Sequence, residues 1–415
     1  MLVFSAVIST LGLALVCLAL HQSPLRALRM TAVSGGFILA SLLLRVGGER
    51  RDPLLLPCVS LLCGLGIIAL WRIDPLLGSK QVLWMILGLA LMLATYFLVD
   101  DVRDLARHKY LAGIGALLLL VATMIPQIGI EKNGARLWLG IRDVFVFQPT
   151  EVAKVLMCIF LAGYVAEKGE MIQEQVKRAG RFTLPALKYM GPLLLVVLFF
   201  LATFVAQHDF GAAVLFFGLF IAVSYVATGR KTYPLLAAIF FLVGMVGAYY
   251  ASSSGSTIHI RFEAWTNPWA DPGGRGYQIL NGLFALGSGG LTGQGLGRGY
   301  PELIPEAGTD MIFPVIGEEM GLLGALALLL TYVLVAVRSF AIGLRSRHQF
   351  GMLLATCLAV VFALQTLIIA GGALRLIPLT GITMPFVSYG GTSVVVNFIA
   401  LGLLLALSRE EAERG

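Results

Sequence analysis

The sequence has few charged residues for its length. Charged residues make up 13% of the 415 positions, and hydrophobic residues make up 58%. Soluble domains carry about 25% charged residues, so this composition excludes an ordinary soluble domain. Apolar runs long enough to cross a hydrocarbon core of about 30 Å recur along the whole chain, which predicts a polytopic α-helical membrane protein.

Cysteine and histidine are also scarce, with five of each. The cysteines all lie in apolar runs without a CxxC pair, which argues against a disulfide framework and a zinc site. The histidines are scattered and predict no metal cluster. The net charge of +7 does not imply nucleic acid, because basic residues are expected beside membrane spans.

Hydropathy predicts about twelve spans and therefore an all-α fold with both termini on the same side of the membrane. They lie near residues 1–20, 31–47, 53–71, 82–99, 110–126, 151–166, 188–206, 211–227, 233–252, 311–337, 351–371 and 383–407. Lys and Arg are more frequent in the loops on the side of the termini, which favours a cytoplasmic N-terminus and C-terminus.

On this orientation two long segments face the exterior, residues 127–150 and 253–310. Loops of this length usually have a function of their own. The second segment contains NPWADPGGRGYQ and then YQILNGLFALGSGG, which predicts a short amphipathic helix at the membrane surface.

Asp271 is the carboxylate of the NPWADP stretch. An Asp-Pro pair in a loop is usually a simple turn, and that interpretation stays open. The aromatic side chains of Trp265, Trp269 and Tyr277 are expected to desolvate the carboxylate partly, which would favour a general base.

Basic residues on both sides of Asp271 suit an anionic, phosphate-bearing ligand. They are Arg261, Arg275 and Arg298. The glycines of GQGLGRG do not follow a strand, so they do not fit a dinucleotide loop. Close approach to a lipid head group, or backbone flexibility, explains them better.

Ionisable residues inside spans are costly and mark either a functional site or a structural ion pair or cap. Glu318 and Glu319 lie about two turns into a predicted helix. Glu151 and Lys154 are spaced i, i+3, so they can pair on one face. Pairing of Lys154 with Glu318 or Glu319 is an alternative. Asp209 lies in a predicted tight turn between two spans.

The last predicted span has a broken entry that contains Pro378, Pro385, Ser388 and Tyr389. Backbone groups freed there must be buried in protein or line a cavity. The segment is therefore either a re-entrant cap or one wall of a substrate groove.

Seven motifs of residues 53–415 together resemble the SEDS family (shape, elongation, division, sporulation), represented by FtsW, RodA and SpoVE. In order they are NGARLWLG, FQPTEVAK, AQHDFGA, NPWADPGGRGYQ, GLTGQGLGRG, LIPEAGTDMIFPVIGEEMG and PFVSYGGTS. The stretch LTG at 379–381 lacks the lysine of many FtsW proteins, which favours the RodA and SpoVE branches.

The resemblance implies a ten-span peptidoglycan glycosyltransferase of the bacterial cytoplasmic membrane, which polymerises lipid II beside a class B penicillin-binding protein. Residues 48–415 would form this core, and residues 1–47 would add two N-terminal helices. A lipid II flippase is the main alternative, and a scaffold for the penicillin-binding protein is another.

The resemblance also implies site residues. It makes Asp271 the catalytic residue, with Arg136, Lys154, Arg261 and Arg275 as cations for the pyrophosphate. A divalent cation, Mg²⁺ or Mn²⁺, would add to their charge. The further residues expected to contact substrate are Trp269, Glu318, Glu319, Ser388 and Tyr389.

Overall fold

The computed structural model describes residues 1–46, 52–132, 135–141, 145–174, 176–179, 182–185, 187–251 and 256–413. The predicted boundary between residues 47 and 48 and two residues of the NGARLWLG motif, Asn133 and Gly134, lie outside these ranges. The chain forms two compact units. Unit 1 comprises Met1–Asp100, Ile260–Arg338 and Gln365–Gly415, and unit 2 comprises Asp101–His259 and Ser339–Leu364.

The fold is α-helical, as predicted. The helices are α1 (Leu2–Ala19), α2 (Leu28–Val46), α3 (Leu55–Ile73), α4 (Pro75–Leu98), α5 (Arg103–Arg107), α6 (Lys109–Met124), α7 (Pro149–Glu174), α8 (Leu187–Ala206), α9 (Phe210–Thr228), α10 (Thr232–Ala251), α11 (Thr257–Thr266), α12 (Tyr277–Gly289), α13 (Ile312–Arg345), α14 (Gln349–Ala373) and α15 (Gly391–Glu413).

Within the described ranges, eight helices are long and apolar enough to cross a membrane: α1–α4, α7 and α13–α15. Four shorter apolar helices, α6, α8, α9 and α10, occupy the other predicted spans. The last helix begins at Gly391 rather than near 383, because residues 374–390 form the irregular entry.

Glycine brings α4 and α15 of unit 1 into close contact. A Cβ on Gly391 would lie 2.4 Å from the Trp84 ring, and one on Gly88 would lie 2.3 Å from Phe398. Small residues at such interfaces allow helix backbones to approach in a membrane, where packing is the main attraction between helices.

Helices α1 and α2, the predicted N-terminal addition, pack on α3. The hydroxyls of Ser5 and Ser60 hydrogen-bond at 2.7 Å, and Ser9 fills the space beside Gly64. A polar contact of this kind supports helix association in lipid. The division of the chain into residues 1–47 and 48–415 stays a prediction.

Unit 2 is built on α7, which packs on α5, α6, α8 and α9. The segment 127–150 contains an antiparallel sheet that the sequence did not predict, with strands β1 (Gly129–Lys132), β2 (Ala135–Ile141) and β3 (Phe145–Phe147). Strands β4 (Val176–Ala179) and β5 (Phe182–Pro185) form an antiparallel hairpin.

Candidate functional site

A tight turn between α11 and α12 carries Asp271. A short 3-10 turn, Pro268–Ala270, ends at this residue. The Asp271 carbonyl accepts hydrogen bonds from the N–H groups of Gly274 (3.3 Å) and Gly276 (2.9 Å). Its carboxylate Oδ2 accepts one from the N–H of Arg275 at 3.0 Å. The main chain therefore fixes the direction of the carboxylate.

Two glycines of this turn lie in close contact with neighbouring atoms. A Cβ on Gly276 would lie 1.9 Å from the Pro268 carbonyl oxygen, and one on Gly274 would lie 2.4 Å from Oδ2 of Asp271. A Cβ on Gly273 would meet no atom within 4 Å. Glycine is thus required at position 276, where the contact is with backbone, whereas at position 274 the contact is with a side chain that can move.

The expected partial desolvation of Asp271 is wrong, because the residue is exposed. The Trp269 side chain is itself 60% exposed and packs edge-on against Phe284, with ring centroids 5.9 Å apart. Tyr277 is 41% exposed, and the half-buried Trp265 donates its indole N–H to the carbonyl of Arg375. The aromatic side chains therefore do not enclose the carboxylate.

Two of the three flanking arginines of unit 1 make internal contacts. Arg275 pairs with Glu263, and both side chains are 43% exposed. Arg261 donates to the carbonyl of Thr380 at 2.8 Å, which ties α11 to the irregular segment 374–390. Arg298 is exposed.

The other two predicted cations belong to unit 2. Lys154 is buried and forms the expected i, i+3 ion pair with Glu151 at 2.5 Å. Arg136 on β2 pairs with Glu131 on β1 at 3.0 Å. Asp209 caps the N-terminus of α9, where its Oδ1 accepts the N–H of Ala212 at 2.9 Å. The cap interpretation of Asp209 is confirmed.

Glu318 and Glu319 on α13 accept hydrogen bonds from the backbone of the glycine loop, residues 290–300. Oε2 of Glu318 accepts the N–H of Tyr300, and Oε2 of Glu319 accepts that of Gly297, both at 3.1 Å. The other oxygen of Glu319 lies 3.1 Å from Nε of Arg72. Both carboxylates thus have structural partners, and their contact with substrate stays a prediction.

The glycine loop replaces the backbone partners that α13 loses at a kink. Gly321 has φ +67° and interrupts the helix. The carbonyls of Glu318 and Glu319 accept the N–H groups of Gln294 (2.9 Å) and Gly295 (3.0 Å). A Cβ on Gly293 would lie 2.1 Å from the Glu319 carbonyl oxygen. These glycines do approach another group closely, and that group is the backbone of α13.

The re-entrant segment before α15 is anchored in protein. Ser388 is buried, and its hydroxyl donates to the Thr309 carbonyl at 2.7 Å. Its own carbonyl accepts the side-chain amide of Gln81 at 3.0 Å. The N–H of Tyr389 donates to the Gly308 carbonyl at 2.7 Å. Partial burial raises the pKa of the Tyr389 phenol. These contacts favour the cap interpretation, and substrate binding by either residue stays a prediction.

Arg375 was not among the site residues predicted from the sequence, and it lines a groove. A groove of about 550 Å³ in unit 1 is lined by Trp265, Thr266, Leu283, Leu374 and Arg375. In the sequence, Arg375 can be recognised as a single arginine that follows a long apolar run and precedes LIPLTG.

A protein site for the expected divalent cation does not emerge. In the parts of the chain that the structure describes, no three or more His, Cys, Asp or Glu side chains gather as a metal site would require.

Known proteins match the chain over most of its length. The model of the FtsW/RodA/SpoVE family, described as cell cycle proteins, matches residues 61–413. Peptidoglycan glycosyltransferase RodA of Mycobacterium tuberculosis is 36% identical over 380 residues, which cover 89% of this chain and 80% of that protein.

Solved structures are similar as well. One, described as the structural coordination of polymerization and crosslinking by a peptidoglycan synthase complex, has a TM-score of 0.69 and 28% identity, covering 88% of this chain and 99% of the other. Another is Thermus thermophilus rod shape determining protein RodA with one aspartate replaced by alanine. It has a TM-score of 0.63 and 26% identity, with coverage of 88% and 99%. The chain belongs to the FtsW/RodA/SpoVE family.

Proposed function

We propose that the chain polymerises lipid II into glycan strands on the outer face of the bacterial cytoplasmic membrane, with Asp271 as the general base. It is a peptidoglycan glycosyltransferase, as its relatives are named. The observation that carries the role of Asp271 is its turn, where the N–H of Arg275 and the glycine at position 276 fix the direction of an exposed carboxylate.

The reaction needs one base and one stabilised leaving group. A hydroxyl of the incoming lipid II attacks the anomeric carbon of the growing chain, and a new C–O bond forms. The bond from that carbon to the pyrophosphate oxygen breaks, and its electron pair leaves with undecaprenyl pyrophosphate. The hydroxyl proton passes to Asp271. Direct displacement inverts the α-linked donor to a β-linkage, and the phosphate leaving group needs no second carboxylate.

The geometry of Asp271 suits this role. Oδ2 is held by the Arg275 N–H, whereas Oδ1 accepts no hydrogen bond within the described residues. One oxygen is thus oriented and the other is open to a substrate hydroxyl. Because the carboxylate is exposed in the free protein, the bound substrate itself has to exclude the water around it.

Arg275 places a positive charge in the Asp271 turn, where its present partner is Glu263. Exposed ion pairs contribute about 0–1 kcal/mol, so a phosphate can replace Glu263 as the partner of Arg275 at little cost. The exposed ring of Trp269 offers a flat apolar surface to a sugar. Arg136, Lys154 and Arg261 remain predicted contacts of the pyrophosphate.

A class B penicillin-binding protein is the proposed partner. The solved synthase complex, which couples polymerization with crosslinking, supports this proposal. The excess of Lys and Arg in the predicted cytoplasmic loops supports cytoplasmic termini. Attaching reporters to each terminus tests the orientation, since signal from a periplasm-specific reporter would contradict it.

The function is tested with the purified full chain and labelled lipid II, with and without the partner. Asp271→Asn removes the base but keeps the shape, and a loss of about 10²–10⁴-fold in rate is expected. Glu302→Gln is the matched control, because it neutralises another exposed carboxylate of the same external segment. Asp271→Asn with a rate within threefold of wild type contradicts the assignment.

The same variant separates polymerase from flippase. In vesicles, a flippase would move lipid II without needing a base in an external loop, so its translocation would survive Asp271→Asn. Chelation with EDTA, followed by addition of Mg²⁺ or Mn²⁺, tests the divalent cation. An unchanged polymerisation rate would remove the cation from the proposal.

A further inference from the structure

The C-terminus of α14 has an arginine where glycine is usual. The N–H of Arg375 donates to the carbonyl of Gly372 at 3.1 Å, and that of Leu376 donates to the carbonyl of Gly371 at 2.7 Å. These two bonds form a Schellman motif, whose left-handed position favours glycine because it has no Cβ. Arg375 occupies that position with φ +58°. An arginine held in a disfavoured conformation suggests a role for its side chain.

The Arg375 side chain uses only part of its hydrogen-bonding capacity. Nε donates to the carbonyl of Trp265 at 2.7 Å, and Nη2 donates to that of Thr266 at 2.6 Å, so the guanidinium caps the end of α11. A guanidinium has five N–H donors. Within the described residues Nη1 makes no hydrogen bond, and Arg375 is half-buried. A fixed cation with free donors remains.

The groove around Arg375 combines this cation with apolar walls. It is formed by α11, α12 and the segment after α14, with Trp265, Leu283 and Leu374 as the apolar side chains. Among the residues that the structure describes, no carboxylate lines it. Its volume of about 550 Å³ lies in the usual range for small-molecule sites, about 300–1,000 Å³. Such a lining matches an anionic head group attached to a hydrocarbon chain.

The groove lies between the two helices that enter and leave the Asp271 turn. Thr266 is the last residue of α11, five residues before Asp271. Five residues span at most about 17 Å. Arg375 thus adds a cation to a region that also holds Arg261 and Arg275, and it is the arginine that lines the groove.

We propose that this groove, the Arg375 groove, binds the polyprenyl pyrophosphate of the lipid-linked sugar, with Arg375 on the pyrophosphate and the apolar walls on the first isoprene units. The proposal rests on the proposed function and names the part of the site that holds the leaving group. Forked contacts of arginine with phosphate oxygens are strong and directional, so Arg375 stabilises the charge that develops on departure.

Binding of undecaprenyl pyrophosphate to the purified full chain tests this proposal without turnover. Arg375→Gly should weaken binding at least tenfold while fitting the left-handed backbone. Leu283→Glu leaves Arg375 in place but brings a negative charge into the groove, and it should also weaken binding. Uncharged undecaprenol should bind at least tenfold more weakly than the pyrophosphate and should not respond to Arg375→Gly.

Arg409→Ala is the matched control. Arg409 donates to the carbonyls of Tyr96 (3.3 Å) and Val99 (2.9 Å) at the end of α4, as Arg375 does at the end of α11, but it does not line the groove. Its loss removes a comparable structural contact, so affinity for the probe should not change. Thermal unfolding of all variants separates lost binding from lost folding.

Three results would overturn the proposal. The first is wild-type affinity in Arg375→Gly and Leu283→Glu. The second is equal binding of undecaprenol. The third is full competition by inorganic pyrophosphate or phosphatidylglycerol vesicles at comparable concentration, which would make the groove a general anion or phospholipid site. Arg375-dependent binding in a chain that does not polymerise lipid II would keep this inference and refute the proposed function.

Discussion

Replacing Gly276 with alanine should disable the site without touching a reacting group. The new Cβ would lie 1.9 Å from the Pro268 carbonyl oxygen, and ordinary contact begins at 3.4 Å, so the turn has to open by about 1.5 Å. Gly276 has φ −82°, which alanine adopts readily, so the effect is purely steric. Displacing a catalytic group by about 1 Å can cost about 10²-fold in rate, and a loss of at least this size in kcat is expected.

Gly273 and Gly274 provide comparison variants for this measurement. Gly273→Ala meets no atom within 4 Å and should polymerise lipid II within twofold of wild type. Gly274→Ala contacts the Asp271 carboxylate rather than the backbone, so the side chain can rotate away and an intermediate loss is expected. The assay is glycan-strand formation at saturating lipid II. Equal rates for Gly276→Ala and Gly273→Ala would refute the argument that the turn positions the base.

Three further predictions concern stability in detergent, followed by thermal or SDS unfolding. Lys154→Met alone should lower the free energy of unfolding by about 3–5 kcal/mol, because it leaves Glu151 buried without the Lys154 cation. Adding Glu151→Gln should recover much of that loss, and additive effects of the two substitutions would contradict the ion pair. Asp209→Ala should cost about 1 kcal/mol through the lost cap of α9, whereas Asp209→Asn should cost less. Since burial raises the pKa of Tyr389, the folded state favours the neutral phenol, so its contribution to stability is complete below about pH 10 and declines as the pH rises further. Tyr389→Phe should reduce that decline, and an identical alkaline profile would count against it.

Hydropathy located the helices well because membrane spans are long and uniformly apolar. The sequence also predicted the i, i+3 pairing of Glu151 with Lys154 and offered the cap by Asp209, because both contacts depend on residues that are close in the chain. The strands β1–β3 were missed, since a short external sheet has neither length nor strong alternation of apolar residues.

The candidate site was only partly predictable. Local sequence identified Asp271 and its glycines, but not its exposure, because the direction of the Trp269 ring depends on contact with Phe284 on α12. The structural partners of Glu318 and Glu319, the N–H groups of Tyr300 and Gly297, were not predicted, because they belong to a glycine loop that precedes the two glutamates by about twenty residues. Arg375 was missed because its significance depends on a left-handed backbone angle and on a groove formed by three separate segments.

The α1–α2 hairpin covers a surface of unit 1 that a transmembrane helix of another protein could otherwise contact. Ser5 and Ser9 occupy the face of α3 that holds Ser60 and Gly64, and α2 also packs on α4. A chain without these two helices would offer that surface to another protein's transmembrane helix. Here the protein supplies its own occupant, so a foreign helix has to compete with a covalently attached one, whose effective concentration is in the millimolar range for a short linker.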